Sequence, residues 1–250
     1  MIGIWLTGLL APGDDAVSSI ISTQDGSRKL SSDSSIQWGR IEKTKAPVID
    51  VNLTEKGQSI LGLGASFDHA TCENLSKLPS DKREEVVEKL MNPTTGIGMN
   101  LMRLCIGTSD FVGEPYYTYN DLPEGEVDPE LTKFSIERDR QYILPIIKMA
   151  QKKNTDVLFF ASPWSPPAWI KTSGKLGTGG LKREYYPLFA KYLLKFIQAY
   201  EAEGIPIHAI TIQNEPRMSD EKYPTTLWTA EEERDFIRDH LGPLFKEKEI

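Results

Sequence analysis

The chain has 250 residues, a formal net charge of −7, 39% hydrophobic and 26% charged residues, the make-up of a globular chain with one sizeable core. No Lys/Arg run stands ready to face phosphates, which speaks against nucleic acid and anionic membrane as partners. Two cysteines, Cys72 and Cys105, and three histidines, His69, His208 and His240, give neither a disulfide framework nor metal-ligand spacing.

Residues 2–11 are apolar but too few to span a bilayer, and no basic residue precedes them. They read as an arbitrary leader, with a partial signal peptide as the alternative. Ser, Asp and Gly dominate residues 14–35, so 1–35 is expected to be a flexible leader. Asn52-Leu53-Thr54 and Asn74-Leu75-Ser76 are glycosylation sequons, meaningful only on a secretory route. Residues 36–61 carry Ile41, Val48, Ile49, Val51 and Leu53. They predict one or two strands, parted by Lys45-Ala46-Pro47, that join a sheet built elsewhere.

A repeating pattern begins at Leu61-Gly62-Leu63-Gly64-Ala65-Ser66-Phe67-Asp68, a small-residue strand ending on a carboxylate. The glycines lack dinucleotide-binding spacing and point instead to close backbone approach. Ser80 is expected to cap a helix reaching about Leu90. Residues 100–106 form the second strand, with Arg103 inside an apolar run. A buried charge there is costly unless paired, so Arg103 either ties down loop carbonyls or orients an active-site carboxylate. The loop over 107–134, with Ser109-Asp110-Phe111 and Tyr116-Tyr117-Thr118-Tyr119, is a candidate binding loop.

Ile143, Ile146, Ile147 and Ala150 recur at helical spacing, and Pro145 marks either the helix start or a kink. Residues 157–161 are the third strand, which runs into Ser162-Pro163-Trp164-Ser165-Pro166-Pro167-Ala168-Trp169. Such a rigid aromatic strand exit suits a ligand with apolar C–H faces and hydroxyls. Trp164 is assigned to the site and Trp169 to packing. A Gly-rich, mobile stretch is expected over 172–182, followed by the clearest helix, 185–203. The fourth strand, 207–212, ends on Gln213-Asn214-Glu215-Pro216. Pro216 cannot donate to a ladder, which leaves Glu215 at a strand's carboxyl end, either as a catalytic acid or as a cap of the next turn. A last helix follows Thr229, with Ile237, Leu241, Leu244 and Phe245 inward.

Strand and helix alternate four times, and polar or aromatic residues stand at strand ends: Asp68, Asp110, Trp164, Asn214-Glu215. That is the order of a parallel α/β (β/α)8 TIM barrel with its site on the carboxyl face, here about its first four βα units, over residues 62–250.

Gly62-Leu63-Gly64-Ala65-Ser66-Phe67-Asp68, Asn100-Leu101-Met102-Arg103, Ser109-Asp110-Phe111, Tyr117-Thr118-Tyr119, the Ser162–Trp169 run and Gln213-Asn214-Glu215-Pro216 together resemble glycoside hydrolase family 30. The likeness is greatest to its glucosylceramidase branch, and it extends from about Val48 onward. The resemblance implies a barrel with a β-sandwich side domain, to which residues 36–61 give the N-terminal strand segment. It implies a retaining β-glycosidase acting on β-glucosides or glycolipids such as glucosylceramide, with endo-β-1,6-glucanase as the alternative specificity. Glu215 is then the acid/base. Asn214 binds the sugar 2-hydroxyl, Asp110 accepts hydroxyls across the ring, Trp164 lines the pocket, Arg103 supports the carboxylates, and Asp68 and Phe111 support from behind. No cofactor is implied, and the compartment is secreted, periplasmic or lysosomal-type. The family nucleophile, a second Glu after the seventh strand, has no match here; Glu73, Glu114, Glu184 and Glu221 stand elsewhere. The chain alone is therefore expected to be inactive and to need the other half of the barrel. A non-catalytic, sugar-binding half-barrel is the reading from a different class.

Overall fold

The computed structural model describes residues 19–33, 47–112 and 115–250. The chain divides into two compact units, residues 1–57 and 58–250. In the first, Ser19–Ile21 (β1) and Ser31–Asp33 (β2) pair antiparallel, with Ile20 opposite Ser32. Their turn is closed by the Asp25 carboxylate, which accepts from the Ser27 N–H and hydroxyl. A short hairpin thus stands in the stretch expected to be a flexible leader. Residues 2–11 and 36–46 lie outside the described residues. Over 47–61 no strand forms, and Val48, Ile49, Val51 and Leu53 are 64–82% exposed, so the strands expected there are not found among the described residues.

The second unit is built on parallel strands in the order Leu101–Ile106 (β3), Leu158–Pro163 (β4), Ala209–Ile210 (β5). Arg103 lies opposite Phe160, Cys105 opposite Ser162, and Ala161 opposite Ile210. The small-residue segment expected as the first strand flanks β3. The Arg103 N–H donates to the Ala65 carbonyl and the Phe67 N–H to the Arg103 carbonyl, both at 2.9 Å. Gly64 permits that fit, because a Cβ there would stand 1.8 Å from the Leu101 carbonyl oxygen. β5 is shorter than the expected 207–212. Its ladder nonetheless runs on through the His208 N–H to the Phe159 carbonyl (2.8 Å) and the Thr211 N–H to the Ala161 carbonyl (2.9 Å). Parallel strands alternating with helices give the wall of a partial (β/α)8 barrel.

His69–Lys77 (α1) and Ser80–Met91 (α2) fill the first crossover. α1 shows little apolar periodicity, only Cys72 and Leu75 being buried, which hid it from sequence reading. Ser80 is the first helical residue of α2 and Pro79 its cap, one position earlier than expected. Ile143–Lys153 (α3) holds Pro145 in its first turn, where a missing N–H costs nothing; the proline marks a start. Tyr186–Ala202 (α4) buries Phe189, Leu193, Phe196, Ile197 and Tyr200. Ala230–Phe236 (α5) opens on a reciprocal capping box between Thr229 and Glu232. A π turn over 237–241 joins it to Gly242–Glu247 (α6). Pro243 has no N–H and its ring crowds the carbonyl four residues back, so the helix widens there. Ile237, expected inward, is 47% exposed, while Leu241 is buried.

The aromatic loop after β3 is pinned to α4 by one carboxylate. Tyr117, Tyr119 and Tyr200 each donate a hydroxyl to Asp139 at 2.6 Å. Asp139 is fully buried; burial pushes its pKa up, and the three hydroxyls oppose that rise.

Candidate active site

The carboxyl ends of β3, β4 and β5 bring Arg103, Trp164, Asp110 and Asn214 together as two hydrogen-bonded pairs, Arg103–Asn214 and Trp164–Asp110, joined by a cation–π contact. Arg103 donates through Nη2 to Asn214 Oδ1 (2.6 Å) and through Nε to Ser162 Oγ (3.3 Å). Its guanidinium lies 4.6 Å from the centre of the Trp164 ring. The buried Trp164 donates its indole N–H to Asp110 Oδ1 at 3.0 Å. Thr211 donates to Ser162 Oγ at 2.6 Å, fixing the hydroxyl that receives Arg103. Arg103 therefore ties neither loop carbonyls nor a carboxylate through these bonds. It holds an amide oxygen and a hydroxyl and covers an aromatic face, the planar fork and stacking that guanidinium allows and ammonium does not.

Beyond β5 the backbone is fixed before it turns. The Asn214 N–H donates to the Pro163 carbonyl (2.8 Å), and Gln213 Nε2 donates to the Trp164 carbonyl (2.8 Å). Glu215 then adopts φ +45°, the left-handed region. For a non-glycine residue this costs roughly 1–2 kcal/mol, and residues held so concentrate at functional sites. The turn closes through the Met218 N–H on the Glu215 carbonyl and the Trp228 N–H on the Pro216 carbonyl, each 2.8 Å. The Glu215 side chain is exposed at the sheet's carboxyl end, beside Asn214, and Asp110 is exposed as well.

Tyr223 belongs to this neighbourhood and carries no periodicity or motif that sequence reading can use. Its phenol is pushed up by burial first, then by the negative charge of Glu215, Asp220 and Asp110. Asp68 and Phe111 stand apart from the chain of contacts. Asp68 caps α1 by accepting the Thr71 N–H at 2.8 Å, and Phe111 is 65% exposed, its carbonyl taken by the Ala70 N–H. Trp169 donates to the Asn120 carbonyl and side-chain oxygen and meets Tyr185 edge to face. Residues 172–182, expected to be mobile, are folded on themselves; the Thr172 N–H donates to the Gly180 carbonyl (2.9 Å) and Ser173 Oγ to the Thr178 carbonyl (3.1 Å). Among the described residues no cluster of His, Cys, Asp and Glu can hold a metal ion. The arrangement offers two exposed carboxylates and a side-chain amide at the carboxyl ends of the strands, groups suited to a polyhydroxylated ligand.

Residues 60–249 match the glycosyl hydrolase family 30 TIM-barrel domain. The chain is 35% identical over 202 residues to putative glucosylceramidase 1 of Caenorhabditis elegans, covering 77% of this chain and 38% of that protein. It is 33% identical over 253 residues to an endo-1,6-β-D-glucanase of Neurospora crassa, covering 96% and 52%. A solved endo-β1,6-glucanase superposes with a TM-score of 0.80 at 30% identity, over 96% of this chain and 51% of that one. The chain thus spans about two fifths to a half of the length of these relatives.

Proposed function

The chain belongs to glycosyl hydrolase family 30, and from that premise we propose that it supplies the acid/base half of a retaining β-glycosidase site. The observation that carries the reading is Glu215, held left-handed at a strand end beside an Asn214 that Arg103 already orients. A retaining hydrolase uses two carboxyls about 5–5.5 Å apart, one attacking the anomeric carbon and one handling the proton. Glu215 protonates the leaving oxygen and then takes a proton from the attacking water. Asn214, its side-chain oxygen engaged by Arg103, keeps its amide N–H groups for the 2-hydroxyl, a bond that strengthens as positive charge develops on the ring. Asp110, oriented by the Trp164 indole, accepts hydroxyls on the far side. The attacking carboxylate comes from outside the four βα units; Glu73, for instance, is taken by Lys77 at 3.0 Å on α1.

The substrate is a β-glucoside. Glucosylceramide is the first reading, supported by relatives that include the lysosomal acid glucosylceramidase of Mus musculus, which also supports a secreted, periplasmic or lysosomal-type compartment. β-1,6-Glucan is the second, favoured by the two glucanase likenesses that cover 96% of the chain. Rates on the two substrates separate them. No helix among the described residues is long and apolar enough to cross a membrane.

The test is Glu215→Gln in a protein that also carries the attacking carboxylate. Glucosides with poor leaving groups slow by roughly 10²–10⁴-fold, activated ones slow far less, and azide restores their turnover. A near-normal rate on an unactivated glucoside would overturn the assignment. The 250-residue chain alone is expected to turn over neither substrate.

A further inference from the structure

Lys171 is fully buried, yet none of its ammonium hydrogen bonds goes to a carboxylate. Its Nζ donates to the Leu176 carbonyl at 2.6 Å and to the Thr225 carbonyl at 2.5 Å. Those acceptors lie on two different loops, residues 172–182 after β4 and residues 217–228 directly after Glu215. The loops meet closely. The Thr225 N–H donates to the Leu176 carbonyl (3.1 Å), the Thr178 N–H to Thr225 Oγ1 (3.0 Å) and the Leu227 N–H to the Gly179 carbonyl (2.9 Å). A Cβ on Gly177 would stand 2.5 Å from the Asp220 carbonyl oxygen. Within the second loop, Thr225 Oγ1 both accepts the Asp220 N–H and donates to the Asp220 carbonyl, each at 3.1 Å, closing a tight turn around Tyr223.

Burying a lysine among carbonyls is expensive. Where a chain carries that cost, the two acceptors it joins are held in one geometry. We propose that Lys171 is a positioning residue for the Glu215 site: its buried amine clasps the loop that follows Glu215 to the Gly-rich loop beside it, and so fixes the Asp220–Thr225 turn that carries Tyr223. The clasp acts through backbone carbonyls and touches no substrate. An amine keeps two N–H donors when neutral, so both carbonyls stay served on either side of its titration. The catalytic meaning of the clasp rests on the reading of Glu215 as the acid/base.

Hydrogen exchange and NMR on the 250-residue chain test it. Lys171→Met keeps the apolar stem, takes the amine from the buried Thr225 carbonyl and leaves the Leu176 carbonyl only the Thr225 N–H. Exchange at the Thr178, Thr225 and Leu227 amides should rise about tenfold or more, while amides paired within β3 and β4 stay within about twofold. The Tyr223 ring resonances should shift with them. Slackened loops with Tyr223 unmoved would overturn the proposal, because Lys171 would then serve the fold alone. Unchanged exchange would overturn it outright. Should the variant not fold, the wild-type protein decides: a slowly exchanging Lys171 side-chain amine signal is expected, and its absence rejects the clasp. None of these readouts uses turnover, so a failure of the Glu215 assignment appears in leaving-group kinetics and leaves them untouched.

Discussion

Single side chains set the character of this site, and Lys171 and Arg103 do so in opposite ways. Arg103 spreads its charge over an indole face, an amide oxygen and a hydroxyl. Lys171 meets only carbonyl dipoles, and burial lowers its pKa from 10.5 to about 7. Between those values the unfolded chain binds a proton that the folded chain does not. The contribution of Lys171 to stability therefore rises with pH through that window, by up to about 1.4 kcal/mol per unit. Denaturant unfolding of wild type and Lys171→Met below pH 7 and well above it should find the wild type gaining on the variant as pH rises. Parallel pH dependences would mean the amine is not buried. That Trp164, Asn214 and Glu215 stand at strand ends was legible in the sequence, because an apolar run that stops at a proline marks where a strand turns. Lys171 and Tyr223 were not. Each is one ordinary residue in a polar loop, and what it meets, backbone carbonyls or neighbouring charges, leaves no pattern in the sequence.

At the scale of the element, apolar patterns located β3, β4 and α4 within a residue or two and the buried face of α3. It missed α1, where polar residues outnumber the buried ones, and misjudged the Gly-rich stretch 172–182, whose order comes from backbone hydrogen bonds that leave no apolar pattern. The glycines before Asp68 were legible, since two strands can approach closely only where no Cβ intervenes. Gly64→Ala is expected to force the extended 61–68 segment off β3, because the obstacle is the Leu101 backbone and not a flexible side chain. The cost should reach about 3 kcal/mol or more, in the range of overpacked cores, seen as a lower midpoint in urea. Wild-type stability in that variant would show that the segment is not held as tightly as its geometry implies.

The second unit has an open side. β5 pairs with β4 on one edge, and no strand covers the other among the described residues. Beside it runs a largely apolar trough of about 560 Å³ lined by Ile197, Ile207, Ile237, Leu241 and Phe245. Unpaired edges recruit other chains. Sedimentation should find self-association that rises with concentration, and Ile210→Lys should weaken it. A clean monomer at high concentration would mean the edge is protected. The Asp139 node bears on the molecule in another way. Tyr117, Tyr119 and Tyr200 have all committed their hydroxyls to one carboxylate, and burial and that charge push every one of these phenols up. Alkali should therefore ionise the accessible tyrosines first and leave this trio colourless until the loop parts from α4. The late rise in tyrosinate absorbance becomes an optical alarm for the opening of the half-barrel, built into the protein without a label.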